Sequence, residues 1–209
     1  VVLWELATES GQLSFISGKL FADDEGARIV ERKSFIRLAQ TVQDANGLQG
    51  QPYDYDPQLK LLLQLFPLDI ALPGLAAATS IAESRRVDAA TLGLAGPRSL
   101  GEPTILNYRP WSRCVLRYGC ERKGKTLHYI AKIHRDQRGR QLFAQQRTLR
   151  AELRRLGAPW EIAAPVAYIA DSRMLVFRAF DGATELRTLL AEAAASGGRD
   201  PRSAGAPGR

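Results

Sequence analysis

Between residues 113 and 178 the hydrophobic positions change period three times, and these changes define the elements. Alternating apolar residues in RCVLRY and TLHYIAKI predict two strands, and the polar stretch from Glu121 to Lys125 joins them as a β-hairpin. The period then lengthens. In QLFAQQRTLRAELRRL (141–156) Leu142, Phe143, Leu149, Leu153 and Leu156 recur mostly at three- and four-residue spacing, which predicts an amphipathic helix that Gly157 and Pro159 stop. Two further short strands follow, APVAYIA and RMLVFRAF, with Ala170 to Arg173 as the turn between them. The predicted order is β-β-α-β-β. Beyond it, ELRTLLAEAAA (185–195) reads as a helix with Leu186, Leu189 and Leu190 inward.

The same order recurs near the start of the chain. LWELATESGQLSFISGKLFADDEGAR (3–28) lies over residues 116–141 without a gap at an offset of 132 − 19 = 113, matching Lys19 with Lys132, Asp23 with Asp136 and Gly26 with Gly139. That offset also brings Pro52 onto Pro165 and Tyr55 onto Tyr168. Here Glu9-Ser10-Gly11 is the hairpin turn and residues 27–42 the helix. The organisation expected is a first copy over 1–75, a helical connector and loop over 76–102, a second copy over 103–195, and a tail over 196–209 too poor in large aliphatic residues to fold. The class is α+β, each copy an antiparallel sheet plus one helix.

Composition narrows the setting. The most apolar stretch, residues 61–78, contains Gln64, Pro67, Asp69 and Pro73, which a membrane span rarely carries, so a soluble protein is expected, and two unpaired cysteines suit the reducing cytoplasm. Cys114 and Cys120 are too far apart along an extended strand for a disulfide, and two cysteines with two histidines make no structural zinc site. Charge is unevenly divided: residues 1–100 hold 9 Lys/Arg and 12 Asp/Glu, net −3, while residues 101–209 hold 20 and 10, net +10. A basic second half suits a phosphate-bearing partner. Aromatic residues are not interleaved with the basic ones in a stacking pattern, so a nucleotide is expected rather than nucleic acid.

One lysine stands in an apolar strand, Lys132 in YIAKIHRD, where its ammonium must reach water or an anion. YIAKI resembles the V-A-I-K strand of the protein-kinase-like fold. With the YRPWSRCVLRY opening (108–118), the following helix, APVAYIADSRMLVFRAFDG and ELRTLL, residues 103–190 resemble the N-terminal lobe of the aminoglycoside phosphotransferase family of small-molecule kinases.

The resemblance implies ATP and magnesium as cofactors, and a hydroxyl of a small molecule as acceptor. It makes Lys132 a contact to the α- and β-phosphates, with a helix glutamate to fix it; Glu152 is the candidate, late in the helix, and Gln145 is the alternative occupant of that position. Val115 and Ile130 would flank the base, and residues 177–181, with Phe177 and Ala179, would form a hinge whose backbone meets the adenine edge. The phosphate turn departs from the pattern: NYRPWSRCV has no glycine, and Arg109 and Arg113 would supply charge in its place. His134-Arg135-Asp136 imitates a catalytic loop, but the Asn required five residues on is Gln141, so Asp136 is assigned to a turn. Residues 190–209 hold no catalytic or metal-binding motif. The chain is therefore expected to be a nucleotide-binding fragment lacking the C-terminal catalytic lobe, without catalytic residues or metal ligands of its own. The alternative is a non-catalytic scaffold for an acidic partner.

Overall fold

The computed structural model describes residues 1–7, 13–80, 101–122 and 124–180, with residues 188 and 191. The chain divides into two units, Val1–Ala179 and Phe180–Arg209, and the architecture below is that of the first. The expected turn at 9–11, most of the connector, the helix at 185–195 apart from its helical residues 188 and 191, and the tail lie outside the described residues.

The first repeat comprises β1 (Val2–Ala7), β2 (Leu13–Leu20), α1 (Glu25–Val30), α2 (Lys33–Asn46), β3 (Tyr53–Asp56) and β4 (Leu61–Leu65). Its four strands form an antiparallel sheet in the order β1-β2-β4-β3. After α3 (Leu75–Thr79) the second repeat comprises β5 (Thr104–Arg109), β6 (Arg113–Arg122), β7 (Lys125–His134), α4 (Arg138–Arg155), β8 (Ala164–Ile169) and β9 (Met174–Arg178). Its sheet is antiparallel in the order β5-β6-β7-β9-β8. The fold is α+β. Strand β5 adds to the predicted order; Pro110 and Trp111 fold it back on β6.

The offset of 113 reappears in the backbone. Lys19 pairs with Leu62 and Lys132 with Leu175; Ile16 pairs with Leu65 and Tyr129 with Arg178. Lys60 and Arg173 both take a left-handed φ, 50° and 51°, and their carbonyls accept from Phe21 N and His134 N at 3.0 and 3.2 Å. Asp23 Oδ1 accepts from Glu25 N at 2.9 Å, as Asp136 Oδ1 does from Arg138 N at 3.0 Å. Both aspartates thus tie down the turn into a helix. A Cβ on Gly26 would lie 2.5 Å from the Tyr55 ring, and one on Gly139 would lie 2.7 Å from that of Tyr168. Each glycine is required because a tyrosine from the sheet crosses the helix start at that point.

Two expectations are corrected. The first hairpin is not ungapped: Val2 pairs with Gly18, whereas Leu116 pairs with Ala131, so the offset is 114 in the first strand. A slip of one residue exchanges the faces of a strand, so Val2, Trp4 and Leu6 correspond to Leu116, Tyr118 and Cys120. The helix expected over 27–42 is two helices, broken at Glu31 and Arg32, with Arg32 extended at ψ 128°. Ile29 and Phe35 are both buried but six residues apart, which puts them on different faces of one continuous helix; the break lets both reach the core.

The segment between the sheets belongs to both cores. Leu72, Leu75 and Ala78 pack with Tyr108, Leu116, Tyr118, Ala131, Ile133 and Met174, while Leu68 and Ala76 join Phe21, Ile29, Phe35, Val42 and Leu62. Tyr118 Oη donates to Ala78 O at 2.5 Å. Gly74 lies so close to the β8–β9 turn that a Cβ would stand 2.4 Å from Ser172 O. The corresponding face of the first sheet is left open, with Val2 51%, Trp4 44% and Leu6 39% exposed.

Candidate functional site

Lys132 sits at the middle of β7, next in register to Val115 on β6 and Leu175 on β9. Residues directly opposite on antiparallel strands share a face, as do residues two apart on one strand. The Lys132 face therefore carries Arg113, Val115 and Arg117 from β6, His134 and Ile130 from β7, and Leu175 and Phe177 from β9. On β5, Arg109 stands directly opposite Arg113, which in turn stands opposite His134. Arg109, Arg113 and Lys132 are exposed, Val115 and Ile130 half-buried, and Phe177 buried. The Lys132 ammonium lies 5.2 Å from the centre of the Phe177 ring, close enough for a cation–π contact.

The charges on this face are unbalanced. Strands about 4.8 Å apart place the backbone positions of Arg109, Arg113, His134 and Lys132 within a patch roughly 10–12 Å across. Among the described residues no carboxylate is within ion-pair distance of Arg109, Arg113 or Lys132. Like charges directly opposite on a ladder are destabilising. The His134 imidazole is held below its ordinary pKa by burial, against the pull of Asp136 and with the repulsion of Lys132, Arg113 and Arg138 adding to it. Its Nε2 is buried with no hydrogen-bond partner. Such a surface carries a positive potential.

The structure thus brings together Arg113, Val115, Ile130, Lys132 and Phe177, five of the residues singled out from sequence. It does not bring Glu152 to Lys132. The Glu152 carboxylate accepts from Arg155 Nε at 2.8 Å, fourteen residues into α4 or about 20 Å from the helix start. Gln145 is exposed on the same helix. The Ala179 backbone N–H, expected at the adenine edge, donates to His128 O at 2.9 Å and so extends the β7–β9 ladder. Asp136 caps the start of α4 and pairs with Arg138 Nε at 2.8 Å, which leaves it in the turn. Burial pushes the Cys114 thiol up to about 12, and both cysteines are free and buried, so neither is a nucleophile. Sequence reasoning passed over His134 as a site residue; its place two residues after Lys132 on an alternating strand was the available signal.

No family model, curated protein or solved structure matches the chain.

The equivalent place in the first repeat is different. Lys19 is half-buried, with its ammonium 4.1 Å from the Trp111 ring centre and 4.6 Å from that of Phe21. Phe21 stands where the second repeat has His134, and Gln64 where it has Phe177. No cluster of three or more His, Cys, Asp or Glu side chains able to hold a metal occurs among the described residues, and none of their helices is long and apolar enough to cross a membrane. A cavity of about 200 Å³ lies at the far end of α4, lined by Arg150, Leu153, Trp160 and Ile162, away from the lysine face.

Proposed function

We propose that the second repeat is the kinase-like, ATP-binding lobe of a phosphotransferase of the aminoglycoside phosphotransferase type, acting on a hydroxyl of a small molecule. The observation that carries this reading is the position of Lys132. It stands on the third strand of an antiparallel sheet, with a helix directly after that strand, on a face where Arg109 and Arg113 add positive potential and, among the described residues, no carboxylate pairs with them or with Lys132. That surface suits phosphate oxygens. Beside it, Val115, Ile130 and Phe177 provide an apolar floor for a base.

The described residues of this face fit the phosphates and not the metal: acidic ligands for magnesium, which would neutralise charge on the transferred phosphoryl group, belong to a further lobe in this reading. Phosphoryl transfer also needs an acid to orient the acceptor hydroxyl. In this reading the second repeat binds the nucleotide, and the cytoplasm, where ATP is abundant, is the setting.

Calorimetry with Mg-ATP tests the reading. Saturable binding is expected, weakened at least about tenfold in Lys132→Ala, since a charge-assisted contact contributes about 1.5–3 kcal/mol. Absence of binding by the wild-type chain overturns it.

A scaffold for an acidic partner is the second reading, and the engagement of Glu152 with Arg155 rather than Lys132 favours it. Binding to an acidic protein would fall steeply with salt and ignore magnesium.

A further inference from the structure

The β5–β6 turn is held by the first repeat. Tyr108, Trp111 and the flanking Arg109 and Arg113 belong to the second repeat, yet their anchor is Asp69, which leaves the first and is fully buried. Asp69 Oδ2 accepts from Trp111 N at 2.8 Å and from Tyr108 Oη at 3.1 Å, and Oδ1 accepts from Ala71 N at 2.9 Å. Trp111 adopts φ 65°. For a bulky side chain this left-handed conformation is costly and persists only where the surroundings over-determine it.

Those surroundings also come from the first repeat. Phe21 meets the Trp111 ring edge-on at a centroid distance of 6.0 Å, and the Lys19 ammonium lies over the ring at 4.1 Å. The indole N–H is buried with no hydrogen-bond partner, so stacking and the backbone contact fix the ring. The result is a turn without glycine, strained at its tip, that holds two arginines directly opposite each other on a ladder. Each of these features opposes stability locally.

We propose that the first repeat is the positioning domain of the phosphate turn: Asp69, Lys19 and Phe21 clamp Trp111 so that Arg109 and Arg113 are presented together to an anionic ligand. Lys19 is then a structural cation that supports the loop of its neighbour, although it occupies the same place in its sheet as Lys132. The identity of the ligand as ATP rests on the reading above; the clamp itself does not.

Two sets of measurements separate the two. Mg-ATP affinity is compared for the wild type, Asp69→Asn, Lys19→Met, Lys19→Arg and Lys132→Ala, each with its melting temperature. Asp69→Asn should weaken binding about tenfold and Lys19→Met about threefold, as loss of a charge-assisted bond and of a cation–π contact predict. Lys19→Arg, which keeps a cation over the rings, should restore it, and a merely structural role would instead track the melting temperature. Wild-type affinity in both Asp69→Asn and Lys19→Met, with Lys132→Ala defective, overturns the clamp and leaves the nucleotide reading standing.

If the wild type binds no Mg-ATP, the nucleotide reading falls and the clamp is decided by fluorescence. In a protein with Trp4→Phe and Trp160→Phe, Trp111 emission should shift to the red and iodide quenching should change on adding Lys19→Met, which removes the ammonium but keeps an unbranched side chain over the rings. An unchanged spectrum overturns the clamp.

Discussion

At the scale of single residues, position in the ladder decides chemistry more than residue type. Lys19 and Lys132 are matched by the repeat, yet one lies against two rings and the other faces solvent among cations. Substituting each by alanine should therefore act differently: Lys132→Ala should weaken anion binding at least about tenfold with little change in stability, while Lys19→Ala should lower stability by about 0.5–2 kcal/mol, read by chemical denaturation. His134 gives a pH test. Its folded pKa lies below the ordinary 6.5. The unfolded chain then binds more protons between the two values, so stability rises as pH rises through this window and is lost as pH falls towards the folded pKa. His134→Gln should flatten that slope, and the imidazole resonance should titrate below 6.5 in the native protein. Asp69 runs the other way. Burial raises its pKa against the opposing hydrogen bonds from Trp111, Ala71, Tyr108 and Leu72. Its protonated form is therefore favoured by folding, and its contribution declines as pH rises from the unfolded value through the folded one.

Among elements, the helix starts carry the clearest constraint. Gly26 and Gly139 each sit under a tyrosine ring, at 2.5 and 2.7 Å from a notional Cβ. Alanine at a helical position raises helix propensity by about 1 kcal/mol over glycine, but a methyl group here must displace Tyr55 or Tyr168 from a packed interface. Overpacking costs about 1–3 kcal/mol, so Gly139→Ala should be neutral to destabilising by about 2 kcal/mol in urea unfolding, and Gly26→Ala should behave alike. A stabilised protein in either case would show that the ring moves freely. Tyr168 Oη also donates to Gln137 Oε1 at 2.8 Å, so displacement of the ring would loosen the turn into α4. The same helix is lightly embedded: of its residues only Gly139 is buried.

Across the whole of residues 1–179, the two repeats are not separable pieces. Leu68 to Ala78 contribute to both cores, Tyr118 bonds to Ala78, and Asp69 holds the β5–β6 turn. Cutting between the repeats, or expressing residues 103–209 alone, should expose Leu116, Tyr118, Met174 and their neighbours. The product should aggregate or bind a hydrophobic dye where the intact chain does not. Gly74 is closely packed at this junction, and a side chain there would meet backbone atoms of Ser172 rather than only a yielding side chain. Gly74→Ala should destabilise the protein by about 1–3 kcal/mol, as overpacking does, and lower its melting temperature more than alanine at the open-space Gly47 would do.

Much of this molecule is written in its periodicities. Alternation at 125–134, the longer period at 141–156 and the offset of 113 predicted the hairpin, helix α4, the strand pair β8–β9 and the common place of Lys19 and Lys132, because these depend on neighbours a few residues away and on identical local turns. The slip in the first hairpin was hidden, since a slip of one residue alters pairing without altering the alternation that sequence displays. So was the break at Glu31 and Arg32, which answers the need to bury both Ile29 and Phe35. For the candidate site, the strand lysine and its apolar companions were legible by register along β6, β7 and β9, whereas the partners of Glu152 and Ala179 were not. The sequence alone determined which residues could form a cationic sheet face. Only the tertiary structure decided that Asp69 and Lys19 hold the turn beside it, because a contact between residues 42 apart in the chain rests on how two sheets share one buried segment.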